Sequence, residues 1–371
     1  MNQRIAHLTS VHPPFDPRIF HKQCKTLRNA GFDVHLVAQH TQSEVVDGIP
    51  ICALPQMEGR YVRLALQPSL YRQARALQAD VYHIHDPELI PLLWLLKHTT
   101  DAAVVYDMHE DYAARGGIEG SLLSALERWC LTWVNHVVLA EKGYVDRVYD
   151  TTPHTYILNY ALSEDLNRSC DTATRKERPG IRLLYTGVAS RTRGLCTMLK
   201  TVEILKSSNI SAHINISGVC NIPSDRRWAE AFIAKNSLED NVVLNGWREY
   251  LPIQEMTSSY LCSDIGMCLM QPHSNYMKSI PTKFYEYLSY GLPILCSDFP
   301  LWRSFIEEHE CGAVVPPGDA AAAASVVHDW MQNPAQYEAC TRAACNAGTH
   351  FQWKIMGERL VNVYKTLVEQ A

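Results

Sequence analysis

Ile5-Ala-His-Leu8 and Val34-His-Leu-Val37 are two short apolar runs, and the residues between them carry apolar side chains at helical spacing, at Phe20, Cys24 and Leu27. A strand-length run, a helical period and a second strand-length run are typical of a β-α-β unit. Such a unit at the start of a chain predicts an α/β fold with a doubly wound, mostly parallel sheet.

The same alternation continues along most of the chain, and it lapses once, in the polar stretch Ser163–Gly180. That lapse predicts an interdomain linker. We therefore predict an N-terminal domain over 1–163, a C-terminal domain over 175–350 and a last helix, 353–371, that packs back on the first domain. The predicted strands are Ile5–Leu8, Val34–Val37, Val81–Ile84, Ala103–Tyr106, His136–Leu139, Ile181–Tyr185, Ala212–Ile216, Val242–Leu244, Ile265–Cys268, Pro293–Cys296 and Ala313–Val315.

Composition excludes several functional classes. The chain has 371 residues, is 47% apolar and 20% charged, and carries a net charge of −5, which disfavours a nucleic-acid partner. Its 12 cysteines form no metal or disulfide pattern. The sequence has no secretory signal or membrane-span pattern, so we expect a cytoplasmic protein. The arginines in Arg60–Arg75 leave two interpretations open, a solvated helix face and peripheral contact with anionic lipid.

The segment Ser279-Ile-Pro-Thr-Lys-Phe-Tyr-Glu-Tyr-Leu-Ser-Tyr-Gly-Leu-Pro293 reads as a helix with Ser279 as its N-cap. Its spacing places Thr282, Lys283 and Glu286 on one polar face. A helix N-terminus beside Lys283 suits a diphosphate, and Glu286 could accept ribose hydroxyls. From spacing alone, an exposed Lys283–Glu286 ion pair is the simpler interpretation.

Other polar residues follow predicted strands. Arg191 and Arg193 lie in the turn after Leu184-Tyr-Thr-Gly187, where guanidinium groups could meet phosphate oxygens. In the first half, His83-Ile-His-Asp-Pro-Glu88 and Tyr106-Asp-Met-His-Glu-Asp111 each come directly after a strand, at the edge where doubly wound sheets bind ligands. The first strand is followed by Val11-His-Pro-Pro-Phe15 rather than Gly-x-Gly-x-x-Gly, which disfavours a dehydrogenase.

Taken together, these motifs resemble the retaining glycosyltransferases of family 4, which have the GT-B fold of two facing Rossmann-like domains with an interdomain cleft. The run Lys283-Phe-Tyr-Glu-Tyr-Leu-Ser-Tyr-Gly-Leu-Pro293 is similar to the signature of the family's donor-binding domain. The resemblance implies transfer of a hexose from a UDP- or GDP-sugar to a glycan or a lipid-linked precursor of a cell-surface polysaccharide. It implies no cofactor and no metal.

The resemblance also implies roles for individual residues. The predicted catalytic residues are His109, Arg193 and Lys283. The predicted donor-binding residues are Gly187, Arg191, Arg193, Lys278, Ser279, Thr282, Lys283 and Glu286. The predicted acceptor-side residues are His12, Asp16, Arg18, Asp86 and Glu110.

The chain departs from the family pattern at one informative position. Lys278 stands where the family has the first of two paired glutamates, which opens the question of how the donor sugar is recognised. Two alternatives therefore remain beside the transferase: a non-catalytic protein of the same fold that binds sugar nucleotides or a partner enzyme, and a sugar-nucleotide 2-epimerase.

Overall fold

A computed structural model describes residues 3–57, 59, 64–109, 117–162, 180–249, 251 and 253–369. The chain divides into two compact units, the first formed by Met1–Asn159 with Trp353–Ala371 and the second by Tyr160–Gln352. The division falls just before the polar stretch in which the sequence predicts a linker.

The first unit contains a sheet in the order β3-β4-β2-β1-β5-β6-β7-β8. All neighbouring strands pair in parallel except β3 and β4. The order reverses between β1 and β5, which makes their carboxyl ends a topological switch point. The strands are β1 (Arg4–Leu8), β2 (Asp33–Gln39), β3 (Glu44–Val46), β4 (Ile49–Leu54), β5 (Val81–Ile84), β6 (Ala103–Met108), β7 (His136–Leu139) and β8 (His154–Tyr156).

The connection from β1 to β2 differs from the simple α-helix that the spacing predicts. Pro17–Cys24 is π-helical, and at its start His21 donates its backbone N–H to the carbonyl of Asp16, five residues earlier. The Asp16 side chain caps this segment by accepting from the N–H of Arg18 and Ile19. The α-helices before the linker are α1 (Lys25–Asn29), α2 (Gln67–Leu77), α3 (Ile90–Thr99) and α4 (Gly117–Cys130), and short 3₁₀ turns cover Leu64–Leu66, Pro87–Leu89 and Lys142–Arg147.

The second unit has a fully parallel sheet in the order β11-β10-β9-β12-β13-β14, with its switch point between β9 and β12. Its strands are β9 (Ile181–Thr186), β10 (Ala212–Ser217), β11 (Val242–Asn245), β12 (Ile265–Cys268), β13 (Ile294–Ser297) and β14 (Gly312–Val315). Its helices are α5 (Leu195–Ser207), α6 (Pro223–Lys235), α7 (Ile253–Leu261), α8 (Ser274–Met277), α9 (Thr282–Ser289), α10 (Pro300–His309), α11 (Ala320–Gln332) and α12 (Pro334–His350).

The last helix, α13 (Trp353–Glu369), belongs to the first unit although it follows the second in sequence. Its first residue, Trp353, donates its indole N–H to Thr26 Oγ1 at 2.8 Å. Farther along, Met356, Leu360 and Tyr364 are buried. The helix therefore completes the first unit's core.

The strands of both sheets are nearly continuous apolar runs in the sequence, because helices cover both faces of each sheet. In α2, Leu70 and Ala74 are buried whereas Arg72 and Arg75 are exposed; Arg60 and Arg63 lie outside the described residues. None of the helices that the structure describes is long and apolar enough to cross a bilayer.

Candidate functional site: a cationic pocket and a histidine cluster

A pocket of about 360 Å³ lies at the carboxyl end of β9 in the second unit. Its walls come from the loop after β9, from α7, and from α9 with the residues before it. A switch point is where doubly wound sheets bind ligands. The lining residues are Thr186, Gly187, Arg193, Met256, Met270, Tyr276, Ser279, Pro281, Thr282, Lys283 and Glu286.

Helix α9 begins later than the sequence indicates, so the prediction that Ser279 is the N-cap is wrong. The cap position is Pro281, which is extended at φ −61° and ψ 137° and makes no side-chain capping bond. A residue that precedes proline is disfavoured in the helical region, so Ile280 cannot open the helix. Ser279 still lines the pocket, and its carbonyl accepts from Trp302 Nε1 at 2.8 Å.

Lys283 is buried, with 8% of its surface exposed, rather than on an exposed polar face. Its ammonium lies 4.9 Å from the centre of the Tyr185 ring, and within the described chain it forms no ion pair. The simpler interpretation, an exposed Lys283–Glu286 ion pair, is therefore not what the structure shows. Burial lowers the pKa of Lys283 and the nearby Arg193 adds to this effect, whereas Cys268 and Glu286 oppose it.

Arg193 is half-buried and enters the same pocket. Its guanidinium lies over the Tyr276 ring, 5.9 Å from the ring centre, and the nearby tyrosines Tyr185 and Tyr276 raise the pKa of Arg193 against the effect of burial. The turn that carries it closes at Gly194, which has φ +89°. A Cβ there would lie 2.0 Å from the Leu269 carbonyl oxygen, so only glycine fits.

Glu286 supplies the acidic side chain of the pocket. One of its oxygens, Oε2, accepts a hydrogen bond of 2.7 Å from the buried Tyr260 hydroxyl. The pocket thus holds two cations and one carboxylate whose partner is a tyrosine.

Two predicted donor residues lie away from this pocket lining. Arg191 pairs through Nε with Asp225 Oδ1 at 3.2 Å and stacks over Trp228. Lys278 is exposed. Six of the eight predicted donor residues thus share one pocket, and these two do not line it.

A histidine cluster occupies the corresponding edge of the first unit. His12 Nε2 lies 2.9 Å from His109 Nε2 and 3.6 Å from Asp86 Oδ1, and His12 Nδ1 lies 3.4 Å from Asp16 Oδ2. Burial alone would raise the pKa of Asp16, but hydrogen bonds from His12 and from backbone N–H groups hold it at about 2. Burial lowers the pKa of His109, an effect that Asp107 opposes and His12 reinforces.

Arg18 and Asp86, predicted on the acceptor side, are both engaged by the protein. The Arg18 guanidinium donates to both oxygens of Asp107, at 2.9 and 2.7 Å, and to the Ile157 carbonyl. Asp86 accepts from Thr9 Oγ1, from the hydroxyl and N–H of Ser10, and from the Val11 N–H. These bonds give both residues structural roles, and acceptor contact stays a prediction. Glu110 lies outside the described residues.

Comparison with known families covers both units. Residues 18–151 match the model of the glycosyl transferase 4-like domain, and residues 172–347 match the model of the glycosyl transferases group 1. The first unit therefore carries a glycosyl transferase 4-like domain and the second a domain of the glycosyl transferases group 1, and the fold is GT-B.

Individual relatives are distant from this GT-B chain. The amylovoran biosynthesis glycosyltransferase AmsK of Erwinia amylovora is 26% identical over 190 residues, which are 50% of this chain and 45% of AmsK. The chain thus spans less than half the length of the relatives that it matches in sequence.

Solved structures align over the whole chain. The sucrose-phosphate synthase of Thermosynechococcus elongatus aligns over 100% of both chains with a TM-score of 0.77 at 16% identity. Anabaena HepE aligns over 98% of this chain and 100% of its own with a TM-score of 0.72 at 10% identity. At these identities, the likeness shows the fold alone.

Several residues of this GT-B protein's two clusters escape sequence reasoning. Tyr276 lines the pocket and Tyr260 contacts Glu286 from behind it, and both belong to helices with no matched motif. Asp107 belongs to the motif Tyr106-Asp-Met-His-Glu-Asp111, and its position directly after an apolar run is the sequence feature that indicates a functional residue. Its partner Arg18 is 89 positions away, so no spacing links the two.

The first unit also buries three further histidines, His7, His83 and His85, and the His85 ring stacks on the other two. His85 Nδ1 lies 3.3 Å from Asp107 Oδ2, and His85 Nε2 lies 2.9 Å from His7 Nδ1. Two groups of three are each spaced closely enough to hold a metal ion: His7 with His83 and His85, and His85 with Asp107 and His109. The Arg18 guanidinium already occupies both Asp107 oxygens, so the charge of an added cation would be repelled there.

Proposed function

We propose that this protein transfers a hexose, with retention, from a UDP- or GDP-sugar to a glycan or lipid-linked precursor of a cell-surface polysaccharide. The observation that carries the proposal is the pair of cations, Arg193 and Lys283, that enter one pocket without a carboxylate ion pair in the described chain. A buried charge without a partner is costly, so such a pocket favours an anionic ligand. A nucleoside diphosphate supplies that charge, and the Anabaena HepE structure holds UDP and glucose.

The two cations also suit the chemistry of transfer. As the bond from the anomeric carbon to the diphosphate breaks, negative charge accumulates on the leaving phosphate oxygens. Fixed cations aimed at that charge stabilise the transition state without reorganising. We therefore propose that Arg193 and Lys283 take this role and that no metal is required.

The acceptor is assigned to the first unit. There, the carboxylates near His12 already have protein donors, and the ring nitrogens of His12 and His109 lie 2.9 Å apart at the carboxyl edge of the sheet. We propose that His109 lies beside the reacting anomeric carbon when both substrates are bound. We also propose that the enzyme works in the cytoplasm, with peripheral contact at the inner membrane face. Retention is carried over from the family 4 enzymes that the chain resembles.

The test is turnover of a panel of UDP- and GDP-sugars by the purified full chain, with and without glycan acceptors. Products are followed by chromatography, and the anomeric configuration of the new linkage is read by NMR. We expect one donor to be hydrolysed slowly or transferred, and His109→Ala and Glu286→Ala to abolish this turnover. The exposed residues His328 and Glu308 provide matched controls, because their alanine variants should keep full activity.

The same assay separates the alternatives. Tight nucleotide binding without turnover of any donor would contradict the transferase and indicate a non-catalytic binding protein. A donor converted to its 2-epimer without an acceptor would indicate an epimerase. An inverted linkage would overturn retention alone.

A further inference from the structure

Tyr260 lies behind the pocket, on α7, and approaches Glu286 of α9 from the side of the protein core. Its hydroxyl donates to Glu286 Oε2 at 2.7 Å. Only 5% of Tyr260 is exposed. Burial and the charge of Glu286 raise the pKa of Tyr260, so the hydroxyl keeps its proton and stays a donor.

Two aromatic neighbours fix the position of this hydroxyl. The Tyr260 ring is parallel to the Tyr290 ring, with centroids 4.6 Å apart and planes inclined by 2°. It also meets the Tyr287 ring edge-on at 6.2 Å. Because both partners are buried, the hydroxyl is held in place before any ligand arrives.

A carboxylate offers two oxygens with about four acceptor positions in all. Tyr260 takes one position on Oε2 and thereby sets the rotation of the whole group. Glu286 lines the pocket, and among the described residues Tyr260 is the one hydrogen-bond donor to its carboxylate. A vicinal diol carries two hydroxyl donors on adjacent carbons and can donate one to each oxygen of a carboxylate held in this way.

From this geometry we infer that Tyr260 is a positioning residue that makes the pocket selective for ribonucleotides, by holding Glu286 ready for both hydroxyls of the ribose. The inference rests on the proposed donor site. It adds a determinant of the nucleotide class, ribose against 2′-deoxyribose, which the donor-site motifs do not contain.

The experiment compares Tyr260→Phe with the wild-type full chain by calorimetric titration. Each ribonucleotide is compared with its deoxy analogue: UDP with 2′-deoxy-UDP, and GDP with 2′-deoxy-GDP. Phenylalanine keeps the ring that packs on Tyr287 and Tyr290, and a thermal melt checks the fold of the variant. Tyr337→Phe is the matched control, because it removes a tyrosine hydroxyl of the same unit that donates to the Asp264 carbonyl at 2.9 Å.

We expect the wild type to prefer the ribonucleotide by roughly tenfold or more, because a site built to bind a hydroxyl rejects the analogue that lacks it. In Tyr260→Phe, Glu286 is free to turn, so the ratio of the two affinities should fall below about threefold. Tyr337→Phe should keep the wild-type ratio.

Three results would overturn the inference. If Tyr260→Phe weakens both nucleotides equally, the residue only supports the fold. If Glu286→Gln weakens UDP or GDP binding while Tyr260→Phe leaves binding and the ratio unchanged, the proposed donor site stands and Tyr260 has no role in it. If the wild type binds none of the probes, the inference falls together with the proposed donor site.

Discussion

The two units place polar clusters at equivalent edges of two similar sheets, but they treat their cations in opposite ways. In the first unit, Arg18 forms an ion pair with Asp107, and both side chains are buried. In the second, Lys283 is buried and Arg193 is half-buried, and neither has a carboxylate ion pair in the described chain.

The difference shows that burial alone does not distinguish a cation in a structural ion pair from a cation that binds a ligand. The charge of a buried cation that pairs with a buried carboxylate is balanced within the protein. A buried cation without one stays costly until a ligand supplies the anion. The fold provides an edge for binding in both units, and we propose that the balance of charge selects what binds there, an anionic donor in the second unit and an acceptor hydroxyl in the first.

The largest effect is expected when the paired cation of the first unit is removed. Arg18→Gln leaves the Asp107 charge buried without its guanidinium, which should lower the free energy of unfolding by about 3 to 5 kcal/mol. Denaturant titration measures this. Arg191→Gln is the matched control, since its pair with Asp225 involves a half-exposed guanidinium and should contribute less than about 1 kcal/mol. Equal losses in the two variants would contradict the contrast between buried and exposed pairs.

Acid should weaken the first unit before the second. Burial lowers the pKa of His7 and His83 and brings that of His85 to about 3, whereas the unfolded value is about 6.5. Below pH 6.5 or so, the unfolded state therefore binds more protons, and stability falls as the pH falls, by up to about 1.4 kcal/mol per pH unit for each such histidine.

This acid effect can be measured by hydrogen-exchange pulse labelling at one fixed labelling pH, after equilibration of the protein at neutral and mildly acidic pH. Peptides from the second unit are the internal control, because none of the histidines in its described part is buried. Acid unfolding that begins in the second unit would contradict this prediction.

The smallest effect is expected at Lys278. Its side chain is exposed and lies outside the described lining of the pocket, so Lys278→Ala should change nucleoside diphosphate affinity by less than about threefold, as for a screened surface charge. Titration with UDP and GDP checks this. A loss comparable to that at Lys283 would place Lys278 in the donor site.

The fold class was predictable because buried parallel strands and helices have different apolar periods. The eleven predicted strands all exist: three have the predicted bounds, and the bounds of the others differ by one or two residues at an end. The strands β3, β4 and β8 were not predicted, since Glu44–Val46 and His154–Tyr156 are short and partly exposed and Ile49–Leu54 contains a proline. Of the resemblance, the GT-B fold and a glycosyltransferase domain in each unit are confirmed.

The candidate site was predictable where one local motif carries several of its residues, as at Lys283 and Glu286. Spacing alone misjudged Lys283, because a helix of eight residues covered on nearly all sides has no exposed polar face. The pairing of Arg18 with Asp107 and of Tyr260 with Glu286 depends on which strands and helices become neighbours. No local pattern contains that information.

The most direct test of the unpaired-cation account is to measure the free energy of unfolding and the UDP and GDP affinity of Lys283→Met together. Methionine keeps most of the length of the lysine side chain and removes its charge. We predict that the unliganded variant is as stable as the wild type or more stable by about 1 kcal/mol or more, and that its nucleotide affinity falls on the order of 100-fold. Lys22→Met, a buried lysine of the first unit, should keep the wild-type affinity. Lower stability with unchanged affinity in Lys283→Met would contradict the account.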